Sequence, residues 1–156
     1  MKTLNTQIIK YGITIFVALT GYFLAMDALG LVHNLNLRIF NAIILFSGIF
    51  ILLKRFKKQK YDKSFSYLNG LSAGFFVTLI ATVGFALFMI AYLLINPDFL
   101  MAIRTNEPQG IYLNIPAIVT LIIIEGVASG ILFSYMSMQF LKEGVAVESS
   151  VSEEAH

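Results

Sequence analysis

The sequence predicts an all-α fold: a polytopic membrane protein with four transmembrane helices and both termini on the cytoplasmic side. Three observations predict it. The 156 residues are 58% hydrophobic and only 13% charged, whereas a soluble domain carries about 25% charged residues. The apolar residues fall into four runs of membrane-spanning length, which for a helix means about 20 residues. Between the second and third runs lies one strongly basic segment, Lys54-Arg55-Phe56-Lys57-Lys58-Gln59-Lys60-Tyr61-Asp62-Lys63. Lysine and arginine resist translocation, so a short loop of this kind stays inside and orients every flanking helix.

The first span is expected over about residues 8–32. Its apolar run, Tyr11 to Met26, is interrupted by Asp27 and resumes to Val32. A charged start before an apolar run also describes a signal peptide. No small-x-small cleavage site follows the run, and three more spans do, so it reads as a retained helix. The polar linker His33-Asn34-Leu35-Asn36 leads to a second span over about 37–54, with Arg38 placed to snorkel at its outer end. A third span over about 67–95 would be roughly 39 Å long from Gly70 onward, longer than a hydrocarbon core of about 30 Å, so it should tilt or project. Asn96-Pro97-Asp98 ends it, because proline disfavours helix in the residue before it. Phe99 to Leu113 is the outer connection, and its apolar start suits the membrane interface. The fourth span is expected over about 114–141, with Asn114 near the cap and Pro116 in the first turn, where proline costs little. Residues 143–156, with Glu148, Glu153 and Glu154 among serines, read as an acidic, disordered cytoplasmic tail. No internal repeat is visible.

Counting cations fixes the orientation. Lys2, Lys10, Lys54, Arg55, Lys57, Lys58, Lys60, Lys63 and Lys142 fall inside, and only Arg38 and Arg104 outside. This asymmetry implies N-in, C-in topology, and the membrane expected is a bacterial-type inner membrane.

Composition removes several chemistries. With no cysteine and two histidines, disulfides, thiol catalysis and the usual nucleophile–base sets are not available. One His beside one Asp is too few for a metal site. The excess of +2 in formal charge is local to one loop and does not read as nucleic-acid binding. No cofactor motif is present, and the chain is not expected to be an enzyme.

Few polar groups are left to carry function. Glu125 follows Leu121-Ile122-Ile123-Ile124 and should lie roughly 13 Å below the outer helix end. An ionised carboxylate at that depth is costly, so it should face protein or a wet cavity, with Thr20 and Ser47 as partners at similar depth. Two readings stay open: a proton- or ion-coupling carboxylate, or a neutral acid hydrogen-bonded to a neighbouring helix. Asp27 is a second candidate for coupling, grouped with His33 and Arg38 at the outer end. Two small-residue stripes mark helix packing: Gly70 and Gly74, continued by Thr78 and Thr82, and Gly126, Gly130 and Ser134. Small residues let membrane helices approach closely, within the chain or between copies. Met136 and Met138 read as packing filler. Lys54, Arg55, Lys57, Lys58, Lys60 and Lys63 are placed to meet anionic lipid headgroups.

The basic stretch, the lead-in Ser64-Phe65-Ser66-Tyr67-Leu68-Asn69-Gly70, the Gly/Thr-bearing span and the terminal Asn96-Pro97-Asp98-Phe99-Leu100 together resemble a family of small four-span bacterial membrane proteins known only as a domain of unknown function. The likeness covers most of residues 8–142. The outer connection, Phe99 to Leu113, is shorter than the charged one that the resemblance implies. It brings topology and no activity, cofactor or catalytic residue. Two functions are therefore expected from the sequence: a structural or accessory subunit that packs with itself or another membrane protein, or a small oligomeric proton- or ion-coupled transporter using Glu125.

Overall fold

A computed structural model describes residues 2–31, 39–59, 67–106 and 110–153. These residues form helices and short connections only: α1 (Lys2–Ala28), α2 (Ile39–Gln59), α3 (Tyr67–Ile95), α4 (Pro97–Asn106), a 3-10 turn (Gly110–Tyr112) and α5 (Ile115–Glu153). Four of the helices are long and apolar enough to cross a membrane, over Thr6–Ala28, Ile39–Lys57, Leu68–Ile95 and Ile115–Leu141. The chain is thus an all-α polytopic membrane protein.

Local sequence explains where the helices stop. α1 ends at Gly30, whose φ of 67° is left-handed. The Leu31 amide donates back to the Met26 carbonyl and the Gly30 amide to that of Asp27, the paired closure in which glycine avoids a Cβ clash. α3 and α4 are parted at Asn96 alone, with Pro97 in the first position of α4, where its missing N–H is no loss. Asp98 in the first turn of α4 and Arg104 in its last suit the helix dipole. The Arg104 Nε also donates to the Leu113 carbonyl at 2.7 Å, tying α4 to the start of α5. Asn114 caps α5, its Oδ1 accepting from the Ala117 amide at 2.8 Å.

α3 is the central helix. It packs along α5 and α1 and touches α2, while α2 in turn lies against α5 and α1. α3 runs parallel to α1, with Gly12 against Ile80 and Gly84 against Phe16, and antiparallel to α5, with Gly74 against Ser134 and Gly126 against Thr82. Ile49, Leu52 and Leu53 of α2 meet Ala73, Val77 and Ala81 of α3, Ile8 and Ile15 of α1, and Met138 of α5 in one buried apolar cluster toward the basic end. Met89, Leu93 and Ile118 form a second cluster toward the far end.

Two segments differ from the sequence reading. The basic segment is largely not a loop: α2 runs on through Lys54, Arg55, Lys57 and Lys58 to Gln59. Cations at a helix C-terminus offset the exposed carbonyls there, so the charges prolong the helix. Nor do residues 143–153 form a disordered tail; they continue α5 to Glu153. No proline interrupts them, and adding residues to an existing helix avoids the cost of nucleating a new one.

Candidate functional site: helix seams and two acids

The two small-residue stripes meet each other. Gly74 lies against Ser134, Gly130 against Thr78, and Gly126 against Thr82, and a Cβ built on any of the three glycines would collide with the facing side chain. Each step of four along α3 is matched by a step of four back along α5. The antiparallel helices therefore interlock glycine against hydroxyl at three successive levels. Gly70 lies one further step along the α3 stripe and is buried. Two of the three hydroxyls bond within their own helices: Thr78 donates to the Gly74 carbonyl at 2.9 Å and Ser134 to that of Gly130 at 2.6 Å. Side-chain-to-backbone bonding of this kind allows a polar residue inside an apolar seam. Without a hydrophobic drive in lipid, such close approach is what holds helices together.

Asp27 is half-buried at the end of α1. Its Oδ2 accepts a hydrogen bond of 2.5 Å from the Tyr92 hydroxyl of α3. The Tyr92 ring sits edge-on to Phe23 at 5.1 Å and to Phe99 at 5.3 Å, with Phe88 at 5.8 Å. Phe23 is at the centre, also edge-on to Phe85, Phe88 and Phe99. Edge-to-face pairs are favourable beyond the area they bury. Sequence reading grouped Asp27 with His33 and Arg38, which lie outside the described residues, and it missed Tyr92. The Phe/Tyr content of residues 85–99 was the available signal, but a tyrosine near a span end is equally at home in an interfacial belt.

Glu125 stands differently from the expectation. Its side chain is exposed rather than buried between the helices. The next residue, Gly126, takes the inward place against Thr82, and a helix turns by about 100° per residue, so Glu125 is carried round toward lipid. The suggested partners do not come to it from the interior. The Ser47 hydroxyl donates to the Ile43 carbonyl of its own helix at 2.6 Å, and the Thr20 hydroxyl is buried with no hydrogen-bond partner.

At the basic end, the Arg55 guanidinium lies 5.9 Å over the Tyr11 ring, and the Lys57 ammonium donates to the Leu141 carbonyl at 2.6 Å. These two cations pin α2 to α1 and α5, while Lys54 is exposed. The side chains of Lys58, Lys60 and Lys63 lie outside the described residues. Met138 is buried in the core and Met136 is exposed. Among the described residues, no group of three or more His, Asp or Glu side chains could hold a metal ion.

Comparison with known protein families, curated proteins and solved structures finds no match to this chain. What the protein does must be argued from its own residues.

Proposed function

We propose that this protein is an accessory or structural subunit of a bacterial inner membrane, oriented with both termini in the cytosol, whose task is lateral assembly with other membrane helices. The observation that carries this reading is the pairing of a filled interior with an outward acid. The seam between α2 and α3 is occupied by Ile49, Leu52, Leu53, Val77 and Ala81, all fully or almost fully buried. The one carboxyl group deep in α5 points away from that interior. Carboxyl groups in hydrocarbon are costly and are placed where a polar neighbour meets them. A bundle that packs its centre and offers an acid sideways is suited to holding a neighbour.

Orientation rests on the cation count, since Lys54, Arg55 and Lys57 share one end with both termini. Anionic lipid headgroups at that end are the expected contacts of the exposed Lys54.

The test is affinity purification of the tagged chain from its native membrane in mild detergent. This reading expects a stoichiometric membrane-protein partner or a defined homo-oligomer, weakened by Glu125→Leu. A second reading, an oligomeric proton-coupled transporter, is favoured by the same outward acid if several copies face one another around a wet axis. It requires a pH-dependent flux in proteoliposomes that Glu125→Gln abolishes. Flux of that kind would replace the accessory role, and its absence together with a co-purifying partner would support it.

A further inference from the structure

The outer face of α1 carries a single charge. Gly12 of α1 lies against Ile80 of α3, and Ile15 against Gly48 of α2, so the side opposite them is left to lipid. There Thr6, Ile9, Lys10, Ile13 and Thr14, all exposed, line an open hollow of about 420 Å³. One water takes up about 30 Å³, so the hollow suits a chain-like ligand rather than a lone ion. Lys10 is the only charged residue between Thr6 and Met26. It stands inside the span that begins at Thr6, roughly 6 Å along the helix. A lysine at that depth lays its apolar stem along the hydrocarbon and lifts its ammonium to the headgroups. The Thr14 hydroxyl donates to the Lys10 carbonyl of its own helix at 2.8 Å, which keeps the hollow apolar below the ammonium. A second cation comes from α2: Arg55, exposed, lies 5.9 Å over the ring of Tyr11, the residue next to Lys10. No acid is present in α2, nor in α1 before Asp27 at its other end.

We infer that this face of α1 is a binding site for an anionic phospholipid, with the lipid phosphate held by Lys10 and Arg55 and an acyl chain lying along Ile13 and Val17. The inference depends on the chain crossing a membrane and not on the proposed lateral assembly. Ammonium and guanidinium donors both suit phosphate oxygens, and their hydrogen bonds to it are charge-assisted. Val17 continues the face one turn deeper, 59% exposed beside 50% for Ile13, so the track for the chain starts directly below the cation. Charge selects the lipid class. A zwitterionic headgroup would bring its own ammonium up to two cations that no acid offsets, whereas an anionic headgroup brings only attraction. Basic pockets beside membrane helices bind anionic headgroups in this way, and one lysine or arginine near the surface is worth about fivefold in affinity.

The natural absence of cysteine makes the test direct. Val17→Cys on α1 and Leu87→Cys on α3, both at exposed sites, each receive a fluorophore. The two lie at similar depth, since Gly84 of α3 lies against Phe16 of α1. Each labelled chain is placed in bilayers of phosphatidylcholine and phosphatidylglycerol, with brominated chains on one lipid or the other, and quenching is measured. Phosphate in solution does not quench, so only bilayer lipid is read. At Val17→Cys, brominated phosphatidylglycerol is expected to quench as though enriched at least about fivefold over its share of the bilayer. At Leu87→Cys it should quench in proportion to its share. Lys10→Gln should cut the enrichment at Val17→Cys about fivefold and leave Leu87→Cys unchanged, while Lys10→Arg should retain it. Proportional quenching at Val17→Cys, equal enrichment at both positions, or enrichment that survives Lys10→Gln overturns the inference. The affinity purification that tests lateral assembly reads a different surface, so either result can fail while the other stands.

Discussion

At positions 74, 126 and 130 the fold has room for a hydrogen atom and little else. Ser134, Thr82 and Thr78 stand where a methyl group would go. Gly130→Ala is therefore expected to destabilise the fold by about 1–3 kcal/mol, the usual cost of overpacking. The midpoint of unfolding in mixed micelles checks it, and an exposed change such as Leu87→Ala serves as the neutral comparison. Tyr92→Phe keeps the ring among Phe23, Phe88 and Phe99 but removes the bond to Asp27. It should cost about 1 kcal/mol, in the range for hydrogen bonds within membrane bundles, and the same unfolding measurement reads it. The glycine stripes were visible in the sequence as spacing. Their pairing with each other was not, since a GxxxG spacing does not say which helix it meets. Asp27 was visible as a break in an apolar run, but Tyr92 lies 65 positions away and only the docking of α1 on α3 brings it near.

Helix existence follows from apolar length, and the four spans were legible for that reason. Helix ends and helix facing were harder. The apolar runs Leu71–Leu94 and Ile115–Phe133 are hydrophobic on nearly every side, and such helices give no amphipathic stripe to say which face is inward. Glu125 was expected to face inward on the cost of a carboxylate in hydrocarbon alone, with no stripe in the sequence to correct that reading, and it is found exposed. Two element-scale outcomes are expected. Asn114→Ala removes the side chain that holds the Ala117 amide and should cost α5 about 1 kcal/mol, measured as a lowered unfolding midpoint. Ending the chain after Lys142 should remove helical signal in circular dichroism corresponding to the residues between there and Glu153. The membrane-spanning part, whose core lies in the clusters of Ile49, Leu52, Val77 and Met89, should keep its unfolding midpoint.

Across the described residues, apolar clusters and the glycine–hydroxyl seam of α3 and α5 make up the core, Arg55 on Tyr11 and Lys57 on the Leu141 carbonyl pin the basic end, and the Phe23–Tyr92 ring cluster with its bond to Asp27 ties α1 to α3 at the far end. What remains to interact is the outside. Everything proposed for that outer surface depends on the chain crossing the bilayer four times with its cations held in the cytosol. The absence of native cysteine again allows a direct measurement: accessibility of single cysteines to a membrane-impermeant maleimide in intact cells. Tyr112→Cys, at an 81% exposed site beyond α4, is predicted to label from outside. Ser152→Cys, in the last turn of α5, is predicted to label only after the cells are opened. Labelling of Ser152→Cys in intact cells, with Tyr112→Cys protected, would contradict the account.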